Sequence, residues 1–167
     1  MQPFNHRALV IATLAITAWQ SAAVAGEGVM DVLVCNLSAG SQAIYEAGGK
    51  LEPFSTKEAD GSLTLPGPIQ RGGVCIRNAR LSAAFGVMSV MGTLCSDDPQ
   101  PLLDLVRSLK PRLTKPAQPF PPGFVAGLSD DDYTLLIYQG APTLPPQPDL
   151  KSKLVSFACA VKFTGAQ

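Results

Sequence analysis

VCIRNARLSAAFGVMSVMGTLC, residues 74–95, is the stretch on which the fold turns. Cys75 and Cys95 are equidistant from Phe85, and Gly86 stands where a three-residue loop of Ala84, Phe85 and Gly86 needs a left-handed residue. In that hairpin register the two cysteines face each other across an antiparallel pair, at about 4.5–5.5 Å, a gap a disulfide bridges. The rival reading is a helix over Leu81–Gly92, because Leu81, Phe85 and Met88, or Ala84, Met88, Met91 and Cys95, recur at helical spacing. The hairpin is preferred because it also accounts for the cysteines.

The other two cysteines, Cys35 and Cys159, then form the second bond. Three pairings of four cysteines are open to sequence alone, and only the hairpin register favours this one. A bond closing a loop of that length stabilises by about 4 to 5 kcal/mol through the entropy it removes from the unfolded chain.

Outward from the hairpin, Val29 to Leu37 alternates like a strand, with Val32 and Val34 on one face and Leu33 and Cys35 on the other. Gln42 to Ala47 is expected to pair back onto it, ending at Gly48-Gly49, and Lys57 to Gly73 reads mostly as loop. The clearest element is a helix over about 99–110. Asp98 stands as its N-cap, Pro99 takes the first helical position, and Leu102, Leu105, Val106 and Leu109 make an apolar stripe. Pro111 stops it. Two proline-dense stretches follow, 111–123 and 141–148, separated by a strand over Tyr133 to Gln139, and the last strand runs from Lys153 to Phe163. The expected class is α+β: one small, disulfide-braced domain, mainly antiparallel β with about six strands and one amphipathic helix.

The N-terminus reads as an export signal. Arg7 precedes the apolar stretch Ala8 to Trp19, and Ala23-Val24-Ala25 is an A-x-A cleavage site. A membrane span needs about 20 apolar residues, and this run has about 12. Residues 1–25 are therefore expected to be removed, leaving a single domain at 26–167 in the periplasm or outside the cell, with no membrane insertion after cleavage. There the four cysteines meet oxidising conditions.

The sole histidine, His6, and the sole tryptophan, Trp19, leave with the signal. Without an imidazole, Ser-His-Asp and Cys-His catalysis have no base. No serine has a lysine three positions later, no C-x-x-C is present, and the cysteines are too far apart for a zinc site. Asp130-Asp131-Asp132 lacks the spaced ligands and glycine of a calcium loop, and Glu46 and Glu52 alone do not make a glycosidase pair. No cofactor is expected. Without Arg7 the chain carries 12 basic and 13 acidic residues with no run of Lys or Arg, which argues against nucleic acid or an anionic membrane as partner.

Recognition by surface is what these residues leave open. Prolines around Phe120 and Phe124 either hold two aromatic rings on a stiff loop, lowering the entropic cost of docking them, or let both rings fold back to cap the core; Tyr133 and Tyr138 lie on opposite faces of one strand, so that one of them is expected to be exposed beside this loop. The expectation is an exported, non-enzymatic binding protein of inhibitor or immunity type that occludes a protein partner, with Phe120, Phe124 and Tyr133 as candidate contacts. The alternative is a structural or accessory subunit of an envelope or surface assembly. Its sign would be an unpaired apolar edge at Val155 to Phe163.

Overall fold

The computed structural model describes residues 28–37, 42–84, 86–110, 113 and 122–162, with the side chains of 42–46 left aside. Residues 74–95 form a hairpin of β4 (Val74–Ala84) and β5 (Val87–Leu94), closed by a bond between Cys75 and Cys95 whose Cα atoms are 5.3 Å apart. The register differs from the expected one. Ala84 pairs with Val87, so only residues 85 and 86 lie between the strands, with Gly86 at φ 73°. A two-residue loop alone would misalign the cysteines by one position. A bulge corrects it: Arg77 faces Thr93 while Arg80 faces Met91, so Asn78 and Ala79 oppose Gly92 alone. Asn78 takes the left-handed φ of 52° that asparagine tolerates better than most residues. Beyond the bulge Ile76 faces Leu94, and the Cys95 amide donates to the Cys75 carbonyl at 3.0 Å.

Around this hairpin lies an open, antiparallel eight-stranded sheet with a few short helices. The remaining strands are β1 (Thr56–Lys57), β2 (Leu63–Leu65), β3 (Ile69–Arg71), β6 (Phe124–Ser129), β7 (Tyr133–Gln139) and β8 (Val155–Lys162). Their order is β1-β2-β4-β5-β8-β7-β6, and β3 also pairs with β4. The stretch expected as loop over Lys57 to Gly73 thus holds two short strands. Both line one edge of β4, β2 against Ala79–Leu81 and β3 against Val74–Ile76, on either side of the bulge. The last strand is central, between β5 and β7, so the apolar edge anticipated at Val155 to Phe163 is not an edge.

Two of the expected strands are helices. Residues 28–33 are helical (α1), and α2 spans Gln42–Leu51, followed by a 3₁₀ turn at Glu52–Phe54. The run from Val29 to Cys35 is buried on both sides of its apparent alternation, and only Asp31, paired with Arg71 at 2.6 Å, breaks it. Branched residues suggested a strand, but Val29, Met30 and Leu33 also fall at helical spacing, and tertiary burial decides between the two patterns. α2 continues through Gly48 and Gly49, which the sequence suggested as its end.

The anticipated helix is α3 (Gln100–Leu109). It starts one residue later than expected: Pro99, not Asp98, is the N-cap, without a side-chain cap, and its carbonyl accepts from Leu103, while the Asp98 carboxylate accepts from the Gln100 amide at 2.9 Å. Leu102, Leu103 and Val106 are buried, with Leu105 and Leu109 packed at the margin.

Residues paired across strands share a face. Val90 and Leu135 both pair with Cys159, and Gly92 and Ile137 both pair with Phe157. That face joins Met30, Leu33, Leu51, Leu102 and Val106 in one buried cluster. The second disulfide, Cys35–Cys159, ties the end of α1 to its centre.

Candidate functional site

The opposite face of the sheet is covered at one end by the connection from β7 to β8, residues 140–154. Four prolines (142, 145, 146 and 148) restrict its backbone, and the Leu144–Pro145 bond is cis. Hydrogen bonds pin it at several points. The Gly140 amide donates to Leu154 at 2.9 Å and the Asp149 amide to Gln139 at 2.8 Å. The buried Ser156 hydroxyl donates to the Gly140 carbonyl at 2.7 Å. The Tyr138 hydroxyl donates to the Thr143 carbonyl at 3.2 Å and accepts from the Thr143 amide at 2.9 Å. Farther along, the Thr143 hydroxyl accepts from the Gln147 amide at 3.0 Å, and the Asp149 carboxylate from the Lys151 amide at 3.0 Å.

Two glycines let this loop approach. A Cβ on Gly123, at φ 88°, would collide with the Cβ of Pro148 and lie 3.4 Å from Leu150 Cδ2. A Cβ on Gly140 would lie 3.1 Å from the Asp149 amide nitrogen. With its backbone held so closely, the loop turns apolar side chains outward: Leu150 is 65% exposed, Leu154 41% and Leu144 38%, and Val125 on the neighbouring β6 is 47% exposed. Among the described residues, Phe54 is the one other large apolar side chain so exposed. Tyr138→Phe would leave the Thr143 amide and carbonyl without their shared partner. We expect it to cost about 1 to 2 kcal/mol in urea unfolding and to raise hydrogen exchange at 140–148 before it affects the sheet.

Of the contacts anticipated from sequence, Phe120 lies outside the described residues. Phe124 is half-buried, its ring 5.9 Å from that of Tyr138 and inclined at 50°. Tyr133 is only 2% exposed and belongs to the core. Its hydroxyl donates to the Val34 carbonyl at 3.1 Å, the Lys110 ammonium lies 4.9 Å from its ring centroid, and burial, with the Asp130 charge, pushes the phenol pKa up. The same desolvation pulls the Lys110 ammonium pKa down, against the opposing pull of Asp130. Tyr138 is buried too, so neither tyrosine is the exposed one that strand alternation suggested. Sequence reasoning noted the proline stretch at 141–148 but passed over Leu150, Leu154 and Val125. The available signal was large apolar residues in and just beyond a segment too rich in proline to enter a sheet.

A second feature lies beside the β1–β2 arm, next to the hollow that Arg80 and Ser82 share with Pro142–Leu144. A cleft of about 450 Å³ is walled by Gly48 and Gly49 of α2, Glu52, Ser55, Lys57, the β1–β2 turn at Asp60–Ser62, and Leu63, Leu81 and Ala83. Asp60 is engaged within the protein. Its carboxylate accepts from the Ser62 hydroxyl at 2.7 Å, the Ser62 amide at 3.1 Å and the Arg80 guanidinium, and these contacts hold its pKa below the usual range. Arg80 is thus occupied by Asp60 and Ser62. By contrast, the Ser55 hydroxyl oxygen is buried in the wall with no hydrogen-bond partner among the described residues, a cost of about 1 to 3 kcal/mol. Gly48 and Gly49 each weaken a helix by about 1 kcal/mol relative to alanine, yet a Cβ on either would meet nothing within 4 Å among the described residues.

The acidic run at 130–132 shapes a turn: Asp130 accepts from the Asp132 and Tyr133 amides at 2.9 and 2.7 Å. Lys162 answers it, its ammonium donating to the Asp131 carbonyl and its amide to that of Asp132. Among the described residues no three His, Cys, Asp or Glu side chains gather as metal ligands, and no helix is long and apolar enough to cross a membrane. Two disulfides are the chemistry of an oxidising compartment. Comparison with known proteins adds no relative: no family model matches the chain, and neither a curated protein nor a solved structure matches it.

Proposed function

We propose that this chain is an exported, non-enzymatic binding protein of inhibitor or immunity type, acting by laying its 140–154 loop and Val125 against a protein partner. One observation carries the reading: the exposed leucines sit on a backbone already fixed by prolines, glycine contacts and the Tyr138 hydroxyl. Apolar side chains held in place lose little entropy on docking, which is how occluding proteins reach high affinity. The two disulfides support it further by keeping the platform rigid outside the cell. Neighbouring Lys151, Lys153 and Asp149 supply the polar rim such interfaces carry.

The test uses the full chain with both disulfides formed, as bait against envelope and culture fluid of its own organism, beside a Leu150→Asp/Val125→Asp variant. The expected result is stoichiometric capture of one exported enzyme, inhibition of that enzyme by the wild-type chain, and loss of both by about 100-fold or more in the variant, since burying unpaired carboxylates in an apolar contact is costly. Equal capture by wild type and variant would overturn it.

A specific observation favours the accessory-subunit reading as the second. β6 pairs with β7 alone among the described residues, and Phe124–Ser129 carries no charge to protect that edge. Recovery of the chain only with itself, as higher oligomers, would move the weight there.

A further inference from the structure

We propose that the cleft between α2 and the β1–β2 arm binds a free amino acid with an apolar side chain. This site adjoins the loop, since Ser82 lines both the cleft and the hollow under Pro142–Leu144, but its argument does not rest on the loop's role. Three observations meet in one place. Ser55 lines the cleft, and its hydroxyl oxygen is buried without a partner among the described residues, so that rotation about its Cα–Cβ bond would offer it to an incoming polar group. Gly48 and Gly49 form another wall in the last turn of α2, where a Cβ would meet nothing within 4 Å among the described residues. Their bareness leaves room for something other than the protein's own atoms. Finally, Glu52 and Lys57, opposite in charge, both line the cleft, and neither has an ion-pair partner among the described residues.

That charge pattern selects the ligand. A ligand bearing only an anion would face Glu52 and the carbonyl end of α2, and one bearing only a cation would face Lys57. A zwitterion satisfies both, its ammonium toward Glu52 and its carboxylate toward Lys57. Leu63, Leu81 and Ala83 provide an apolar floor for its side chain. Asp60, Ser62 and Arg80 bond to one another and so hold the turn that closes this side of the cleft.

The probe is free L-leucine, titrated into the ¹⁵N-labelled full chain with both disulfides formed and followed by amide shifts. The expected result is saturable movement at Gly48, Gly49, Ser55 and Gly61–Leu63, with a dissociation constant on the order of 0.1 mM, ordinary for so small a molecule. Isopentylamine and 4-methylpentanoate, which each keep one charge, should bind several-fold more weakly. Gly48→Leu with Gly49→Leu fills the cleft with good helix formers and should abolish the shifts while leaving the fold intact. Ser55→Ala should weaken binding several-fold without moving the rest of the spectrum. Absence of saturable shifts with leucine, equal binding of the single-charge analogues, or leucine binding that survives in the filled cleft would each overturn the proposal.

Discussion

Cys35→Ala together with Cys159→Ala is expected to destabilise the protein by about 4 to 5 kcal/mol, well beyond the roughly 3 kcal/mol expected for Cys75→Ala with Cys95→Ala. The sequence separations are 124 and 20, so the first bond removes far more freedom from the unfolded chain. Structure reinforces the difference. Cys75 and Cys95 are neighbours across a hairpin that backbone bonds already hold, whereas Cys35 sits just past the end of α1 and is joined to the middle of the sheet. The Cys35 amide donates to Val32 and the Asn36 amide to Asp31, the pattern of a helix end whose left-handed position is usually glycine. Cys35 takes that position at φ 54°, a conformation costing about 1 to 2 kcal/mol, and thereby turns its sulfur onto Cys159. Without the bond the strain remains, and α1 is held by apolar burial and the Tyr133–Val34 hydrogen bond. Urea unfolding of the two double variants decides the matter. Equal losses would show that loop length does not govern these bonds.

This architecture was legible where a local signal and a long-range one agreed. Asp98, Pro99 and the leucine stripe named α3 because capping and amphipathicity are local and both pointed to a helix. The two cysteines and Gly86 named the hairpin. Its register was less accessible: a two-residue turn and a bulge at Asn78–Ala79 together align the same cysteines that a three-residue turn would, and one sequence symmetry cannot separate the two solutions. The run at 29–35 misled because branched residues prefer strands in general, while its burial on every side is set by the sheet beneath and by a disulfide to a residue 124 positions away. Gly48-Gly49 misled in the same way, as breakers that the helix runs through. The candidate surface was half visible. Proline density announced the 140–154 loop, but which of its side chains face outward depends on the close approach at its own Gly140 and on Gly123 and Tyr138, brought to it by the pairing of β6 with β7. Strand order is likewise not a local property, so nothing in the sequence distinguished a central β8 from an edge strand or marked β6 as the edge.

Gly123→Ala is the second large effect we expect, a loss of about 2 to 5 kcal/mol. Two costs combine. A left-handed φ of 88° costs a residue with a side chain about 1 to 2 kcal/mol, and the new methyl would occupy the space of Pro148, an overpacking of about 1 to 3 kcal/mol. Gly61→Ala separates them, because Gly61 has a similar φ of 81° in open space and should show the conformational cost alone. The packing cost at Gly123 cannot relax through a flexible side chain. Pro148 is a ring on a backbone held by the Asp149–Gln139 hydrogen bond and the close contact at Gly140, so the methyl must push the loop itself. Displacing it carries Leu150 away from the β6 margin while the disulfide-braced sheet persists. The variant should therefore lose partner inhibition by tenfold or more at a temperature where circular dichroism still reports a folded sheet, with limited proteolysis now cutting within 140–154. A Gly123→Ala protein no less stable than Gly61→Ala, with its loop still protected, would show that Pro148 yields to the methyl and that the loop is not fixed by this contact.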